Sequence, residues 1–162
     1  MRELNLDHNK LTDIGQLTRF KYLLELQVKE NKELEVFSPD LCRHSRLQEI
    51  KVTGSKITQL PPEIHQLTTL RELHLDKNML IQLPDKIGLM SNLETLTLSG
   101  NQLTTLPLTM DQMTGLKVLN LCKNKFEGAP PVLNKISNLT NLDVSHNPLK
   151  VIPEGLEELQ AL

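Results

Sequence analysis

One spacing constrains this chain more than any other feature: an apolar frame returns about every 23 residues from one end to the other. Written as Leu-x-x-Leu-x-Leu-x-x-Asn-x-Leu, it starts at Met1, Leu23, Leu47, Leu70, Leu93, Leu116 and Leu139, with spacings of 22, 24, 23, 23, 23 and 23. The fourth unit is the cleanest: Leu70, Leu73, Leu75, Asn78, Leu80, Leu83-Pro84 and Ile87. The seventh runs Leu139, Leu142, Val144, Asn147, Leu149, Ile152-Pro153, Leu156 and Leu159. A unit this short cannot bury an apolar face alone, so the units must stack into a solenoid. Composition agrees. Aromatic residues are only 2% and Trp is absent, so the interior must be built from thin, similar aliphatic layers.

Each position in the unit has a physical task. The x-Leu-x-Leu-x stretch alternates inward and outward, the period of a strand with one buried face. Leu73 and Leu75 therefore point in, while Glu72, His74 and Asp76 point out. The turn that follows leaves backbone groups without ladder partners. A carboxamide both donates and accepts, so Asn9, Asn31, Asn78, Asn101, Asn124 and Asn147 can satisfy them between neighbouring turns. Ser55 replaces the Asn in the third unit, and its shorter side chain should bond less well.

A Leu-Pro step then begins the return path at Leu60-Pro61, Leu83-Pro84 and Leu106-Pro107, with Ile152-Pro153 as a near match. Apolar pairs three apart, such as Ile64/Leu67 and Ile87/Met90, suit a short helical or 3₁₀ turn on the convex side. The predicted fold is an α/β solenoid, one domain over residues 1–162, with one parallel strand per unit lining the concave face. Seven strands at about 4.8 Å spacing make a surface roughly 29 Å long.

Three units depart from the pattern. The second carries an extra residue in Asn31-Lys32-Glu33-Leu34, replaces Leu-Pro with Phe37-Ser38-Pro39, and puts His44 at a position otherwise buried and apolar. The sixth pairs a large Phe126 with a small Ala129, a trade of volume within one layer. The first is one residue short around Ile14-Gly15-Gln16-Leu17. Neither end reads as a polar cap: Met1 takes the first apolar position, and Leu162 would start an eighth unit. An end without a cap exposes the core cross-section, so the chain reads as a piece of a longer array.

The formal net charge is −2, with acids and bases interspersed, which is no footprint for nucleic acid. No apolar run approaches the roughly 18–20 residues of a membrane span, and the N-terminus shows no signal-peptide pattern. Cys42 and Cys122 lie in different units with no pairing pattern, which fits a reducing, cytoplasmic home. The sequon Asn138-Leu139-Thr140 reads as a chance match. No Gly-rich phosphate loop, CxxC pair or HExxH occurs, so no catalytic, metal, cofactor or small-molecule site is expected.

On these residues the chain resembles the leucine-rich repeat superfamily along its whole length. The segment Leu60-Pro61-Pro62-Glu63-Ile64-His65-Gln66-Leu67 is similar to the return segment of the 23-residue intracellular group. That group includes the Ras-suppressor and Ras-pathway scaffolds, Scribble, Erbin and related plant proteins. The resemblance implies a curved right-handed horseshoe that binds proteins on its concave face.

Specificity must then be written on the outward strand positions. The third position of each repeat reads Glu3, Glu25, Glu49, Glu72, Thr95, Val118 and Asn141. The fifth reads Asn5, Gln27, Lys51, His74, Thr97, Asn120 and Asp143, and the seventh Asp7, Lys29, Thr53, Asp76, Ser99, Cys122 and Ser145. The candidate partner-binding set is Glu25, Lys29, Glu49, Lys51, Glu72, His74 and Asp76, continuing through Thr97, Ser99, Asn120 and Lys123. Basic residues of a protein partner would dock along Glu25, Glu49 and Glu72, with polar contacts across Thr97, Ser99 and Asn120. The plainer reading is a solvated row of glutamates. The face also lacks the Trp, Tyr and Arg anchors that interfaces favour.

His74 between Glu72 and Asp76 invites an acid–base or metal reading. Its neighbours stand about 6.5–7 Å away along the strand, too far for one ring to bond both through the backbone alone. It therefore reads as a surface histidine in a charged patch. Cys122 is expected to be exposed beside Lys123, where a nearby ammonium can lower a thiol pKa. Cys42 is expected to be partly buried on a return segment. The function implied is a non-catalytic protein-interaction scaffold. The alternatives are the regulatory or substrate-recruiting array of a larger kinase, GTPase, phosphatase or ubiquitin ligase, and a secreted recognition protein.

Overall fold

The computed structural model describes residues 1–151 and Leu159. Seven three-residue strands form one sheet: β1 (Glu3–Asn5), β2 (Glu25–Gln27), β3 (Glu49–Lys51), β4 (Glu72–His74), β5 (Thr95–Thr97), β6 (Val118–Asn120) and β7 (Asn141–Asp143). They pair in sequence order and all in parallel. The register runs Glu3–Glu25–Glu49–Glu72–Thr95–Val118–Asn141 without a slip, so residues 23 or so apart stand side by side. A one-residue slip would turn each strand's central apolar residue outward, so the buried face holds the register.

The inward row Leu26, Ile50, Leu73, Leu96 and Leu119 is fully buried. Behind it, each layer closes with the apolar residues of the turn and the return path, such as Leu80, Leu83, Ile87 and Met90 in the fourth repeat. The return segments hold 3₁₀ turns and, among the described residues, no α-helix: Gly15–Arg19, Leu41–Arg43, Pro62–Gln66, Asp85–Leu89, Leu108–Gln112 and Leu133–Lys135. They stop early because each final N–H bonds three residues back, as Leu67 does to the Ile64 carbonyl at 3.2 Å. Pro61, Pro84 and Pro107 precede three of these turns in extended backbone, which fixes where each begins.

The asparagine column works as a ladder. Asn78 donates its Nδ2 to the carbonyls of Val52 and Leu75 at 2.7 and 3.0 Å, while its Oδ1 accepts the Ile57 N–H at 3.2 Å. Asn101, Asn124 and Asn147 repeat this arrangement one layer further on. Ser55 does not: its hydroxyl is buried and has no partner. The extra residue of the second repeat explains the departure. It lets the Leu34 N–H bond the Asn31 carbonyl at 3.0 Å. In a regular repeat that N–H would seek the next asparagine. The two irregularities are therefore one local solution.

The residue just before each ladder position has positive φ: His8, Glu30, Gly54, Lys77, Gly100, Lys123 and His146 lie between 54° and 69°. Five of the seven are not glycine, so the turn imposes this conformation on side chains that disfavour it. His44 is buried yet satisfied. Its Nδ1 accepts the Arg46 N–H at 3.3 Å, which leaves Nε2 to donate to the Phe20 carbonyl at 3.0 Å. Leu4, Leu11 and Leu17 in the first layer, and Leu142, Val144 and Leu149 in the seventh, are only partly buried. The Ile152-Pro153 step and the eighth start at Leu162 lie outside the described residues.

Candidate functional site

The parallel register brings the outward columns together as the spacing requires. Glu25 and Glu49 are half-buried by their strand neighbours, and Glu3 and Glu72 are exposed. Four carboxylates thus stand on consecutive strands, an arrangement that repels itself unless cations intervene. One cation is supplied internally: the Lys51 ammonium contacts the Glu49 carboxylate.

From there a polar chain crosses β3, β4 and β5. His74 Nε2 lies 3.2 Å from Glu72 Oε2 and 3.9 Å from Glu49 Oε1. Its Nδ1 lies 3.1 Å from Thr97 Oγ1, and the Thr97 hydroxyl donates to Asp76 Oδ2 at 2.5 Å. Asp76 Oδ1 accepts the Ser99 N–H at 2.7 Å. Both Asp76 oxygens are therefore engaged within the fold, which makes it a brace for the next strand. Asp7 acts in the same way on the Lys29 N–H, at 2.7 Å. His74 reaches Glu72 directly and Asp76 only through Thr97, so the spacing did exclude direct contact with both.

Asn120 also turns inward on its own strand, accepting the Cys122 N–H at 2.9 Å. The expectation for Cys122 is corrected: it is buried rather than exposed. The column it stands in is half-buried at Lys29, Thr53, Asp76 and Ser99, and a thiol is shorter than most of these side chains. Lys123 stays exposed, at the turn beyond β6. Cys42, expected to be partly buried, is fully so. Burial, assisted by the Glu63 carboxylate, pushes its thiol up to about 12.

One cluster escaped the sequence reading. Glu94 lies between Arg71 at 2.5 Å and Lys117 at 2.8 Å, one repeat away on either side. Hydrogen bonds from Lys117 and Arg71 hold its carboxyl below the usual range. The signal was present as alternating charge at the second position of three successive repeats, beside the columns that were followed. The cluster's three residues immediately precede β4, β5 and β6, where the glutamate column gives way to Thr95 and Val118.

Among the described residues, one surface-open, polar concavity is lined by Asp13, Gln16, Arg19, Asp40 and Arg43 on the return side. No helix there is long and apolar enough to cross a membrane.

A single parallel sheet, one short strand per repeat, backed by 3₁₀ returns and an asparagine ladder, defines a repeat solenoid. The leucine-rich repeat family model matches residues 45–103, 68–126 and 91–149, which together span more than half of the sequence, and the chain belongs to that family. No curated protein matches it. It is similar to the solved structure of a leucine-rich repeat protein of Leptospira interrogans, with TM-score 0.71 and 28% identity, over 100% of this chain and 53% of that one. It shares its fold with the PEPR1-AtPEP1 crystal structure, at TM-score 0.85 and 23% identity, over 99% of this chain and 24% of that one. It also shares it with an internalin of Listeria monocytogenes, at TM-score 0.73 and 21% identity, over 100% of this chain and 52% of that one. The chain thus spans about half or less of each of these proteins.

Proposed function

We propose that this array is a non-catalytic protein-binding scaffold module whose concave, strand-lined face takes a partner with a basic surface. The observation that carries the reading is the in-register column Glu3, Glu25, Glu49 and Glu72. Like charges facing each other on adjacent strands destabilise a sheet, and lysine or arginine side chains from a partner would relieve that repulsion. Such charges speed encounter and select partners more than they add raw affinity, which suits a face without aromatic anchors. Contacts continue over Thr97, Ser99 and Asn120, with Lys29 and Lys123 on the turn-side edge.

The Leu-Pro-x-x-Ile returns, each opening a 3₁₀ turn, support placement in the 23-residue intracellular group. Two free, buried thiols support a cytoplasmic setting. The test is retention of proteins from cytosolic extract by this chain and by its Glu49→Lys/Glu72→Lys variant, identified by mass spectrometry. A protein held by the first and lost by the second supports the reading. Identical retention by both overturns the site.

A further inference from the structure

The direction of one hydrogen-bond chain gives His74 a second meaning. Asp76 Oδ2 is a carboxylate oxygen and can only accept, so the proton between it and Thr97, 2.5 Å apart, belongs to the threonine hydroxyl. Thr97 Oγ1 therefore presents a lone pair to His74, and the ring nitrogen facing it at 3.1 Å, Nδ1, carries the hydrogen. In the neutral ring this leaves the lone pair on Nε2. That nitrogen faces Glu72 Oε2 at 3.2 Å and Glu49 Oε1 at 3.9 Å. With the ring neutral, three donor atoms face one point, and the Lys51 ammonium stands on the Glu49 oxygen among them.

We propose that Glu49, Glu72 and His74 form a binding site for a divalent cation of the zinc type. One oxygen from each carboxylate and His74 Nε2 lie within 4.8 Å of one another. Ligands about 2.0–2.1 Å from a tetrahedral ion stand about 3.3 Å apart, so small side-chain rotations close the set. A mixed set of one imidazole and two carboxylates suits zinc better than magnesium or calcium, which take oxygen alone. The Asp76–Thr97–His74 relay is the outer support that a metal-bound imidazole uses, fixing its tautomer and orientation. The fourth position faces the open concave surface, where water or a partner's side chain can complete the ion.

Lys51 is the internal competitor. Its ammonium holds Glu49, and a metal ion must displace it. This sets the sign of a test that a merely structural cluster would not reproduce. Zinc ion alone is titrated into the full chain in competition with a chromophoric chelator, near neutral pH, with circular dichroism recorded for every variant. The expected result is one zinc per chain at micromolar affinity. His74→Ala and Glu72→Gln should each weaken it at least tenfold. Thr97→Val, which removes the outer support without a ligand, should weaken it severalfold or more, within the roughly 10- to 100-fold range of such partners. Lys51→Met should tighten it. The inference is overturned if zinc does not bind, or if its affinity is unchanged by His74→Ala. It is equally overturned if Lys51→Met weakens binding, because the ammonium would then be helping to build the site. The measurement uses the free chain, so its failure leaves the protein-docking reading standing.

Discussion

The Asn101 carboxamide donates to the Leu75 carbonyl at 3.0 Å, tying together two residues 26 apart in the chain. The same amide also bonds the Leu98 carbonyl and accepts the Leu80 N–H. Asn101→Ala would strand these buried backbone groups, each worth about 1–3 kcal/mol when left unpaired. The expected loss is about 3 kcal/mol or more, read as a lower urea midpoint. Ser55→Ala, in the same column, should be neutral or stabilising by up to about 1 kcal/mol, because its hydroxyl is buried without a partner. Equal losses in both variants would show that the ladder is not what holds the turns together.

Adjacent return turns touch backbone to backbone at Gly88. A Cβ there would stand 2.1 Å from the Thr109 carbonyl oxygen, so a methyl group must push two layers apart. Gly88→Ala should cost at least about 2 kcal/mol, at the upper end of ordinary overpacking. Gly128 meets nothing within 4 Å, and Gly128→Ala should gain about 0.4–1 kcal/mol by restricting the unfolded chain. Thermal midpoints moving in opposite directions check both. A harmless alanine at position 88 would refute the close stacking.

The positive φ of Lys77, 54°, costs an L-residue roughly 1–2 kcal/mol. Lys77→Gly should relieve most of that strain and raise the melting temperature, whereas Lys77→Val should lower it. Two equal shifts would mean that the turn adapts to its residue.

Cys42 links stability to alkaline pH. Below its ordinary value of 9.0 the thiol is protonated in both states and its contribution is intact. Between 9.0 and about 12 the unfolded chain releases the proton while the folded chain keeps it, so stability falls as pH rises. Wild type should lose more between pH 9 and pH 11 than Cys42→Ala, despite the variant's lower starting point. Cys42 should also resist alkylation until denaturant is added. Parallel pH profiles would contradict the assignment.

Most of this fold was legible because a 23-residue period converts directly into lateral neighbours. Matching Glu25, Glu49 and Glu72 in the repeat frame predicted their pairing across β2, β3 and β4. The ladder was legible for the same reason, down to the defect at Ser55. The side-chain relay was not. Whether Asp76 faces solvent or braces Ser99 depends on rotamers, which a period does not encode. Cys122 failed for a related reason: strand alternation gives the face but not the depth at which a short side chain sits in a half-buried column. The Arg71–Glu94–Lys117 triad needed only a further column to be read down the repeats.

The central claim is that partners dock on the strand-lined face, and site-specific photo-crosslinking tests it most directly. A photoreactive residue would be placed at Thr95 in β5, and separately at Leu108, which projects 66% exposed from a return turn. Both baits would be irradiated with cytosolic extract. The account predicts a protein adduct from position 95, suppressed by the Glu49→Lys/Glu72→Lys background, and none of comparable yield from position 108. An adduct confined to position 108, or one at position 95 indifferent to the charge reversal, would contradict it.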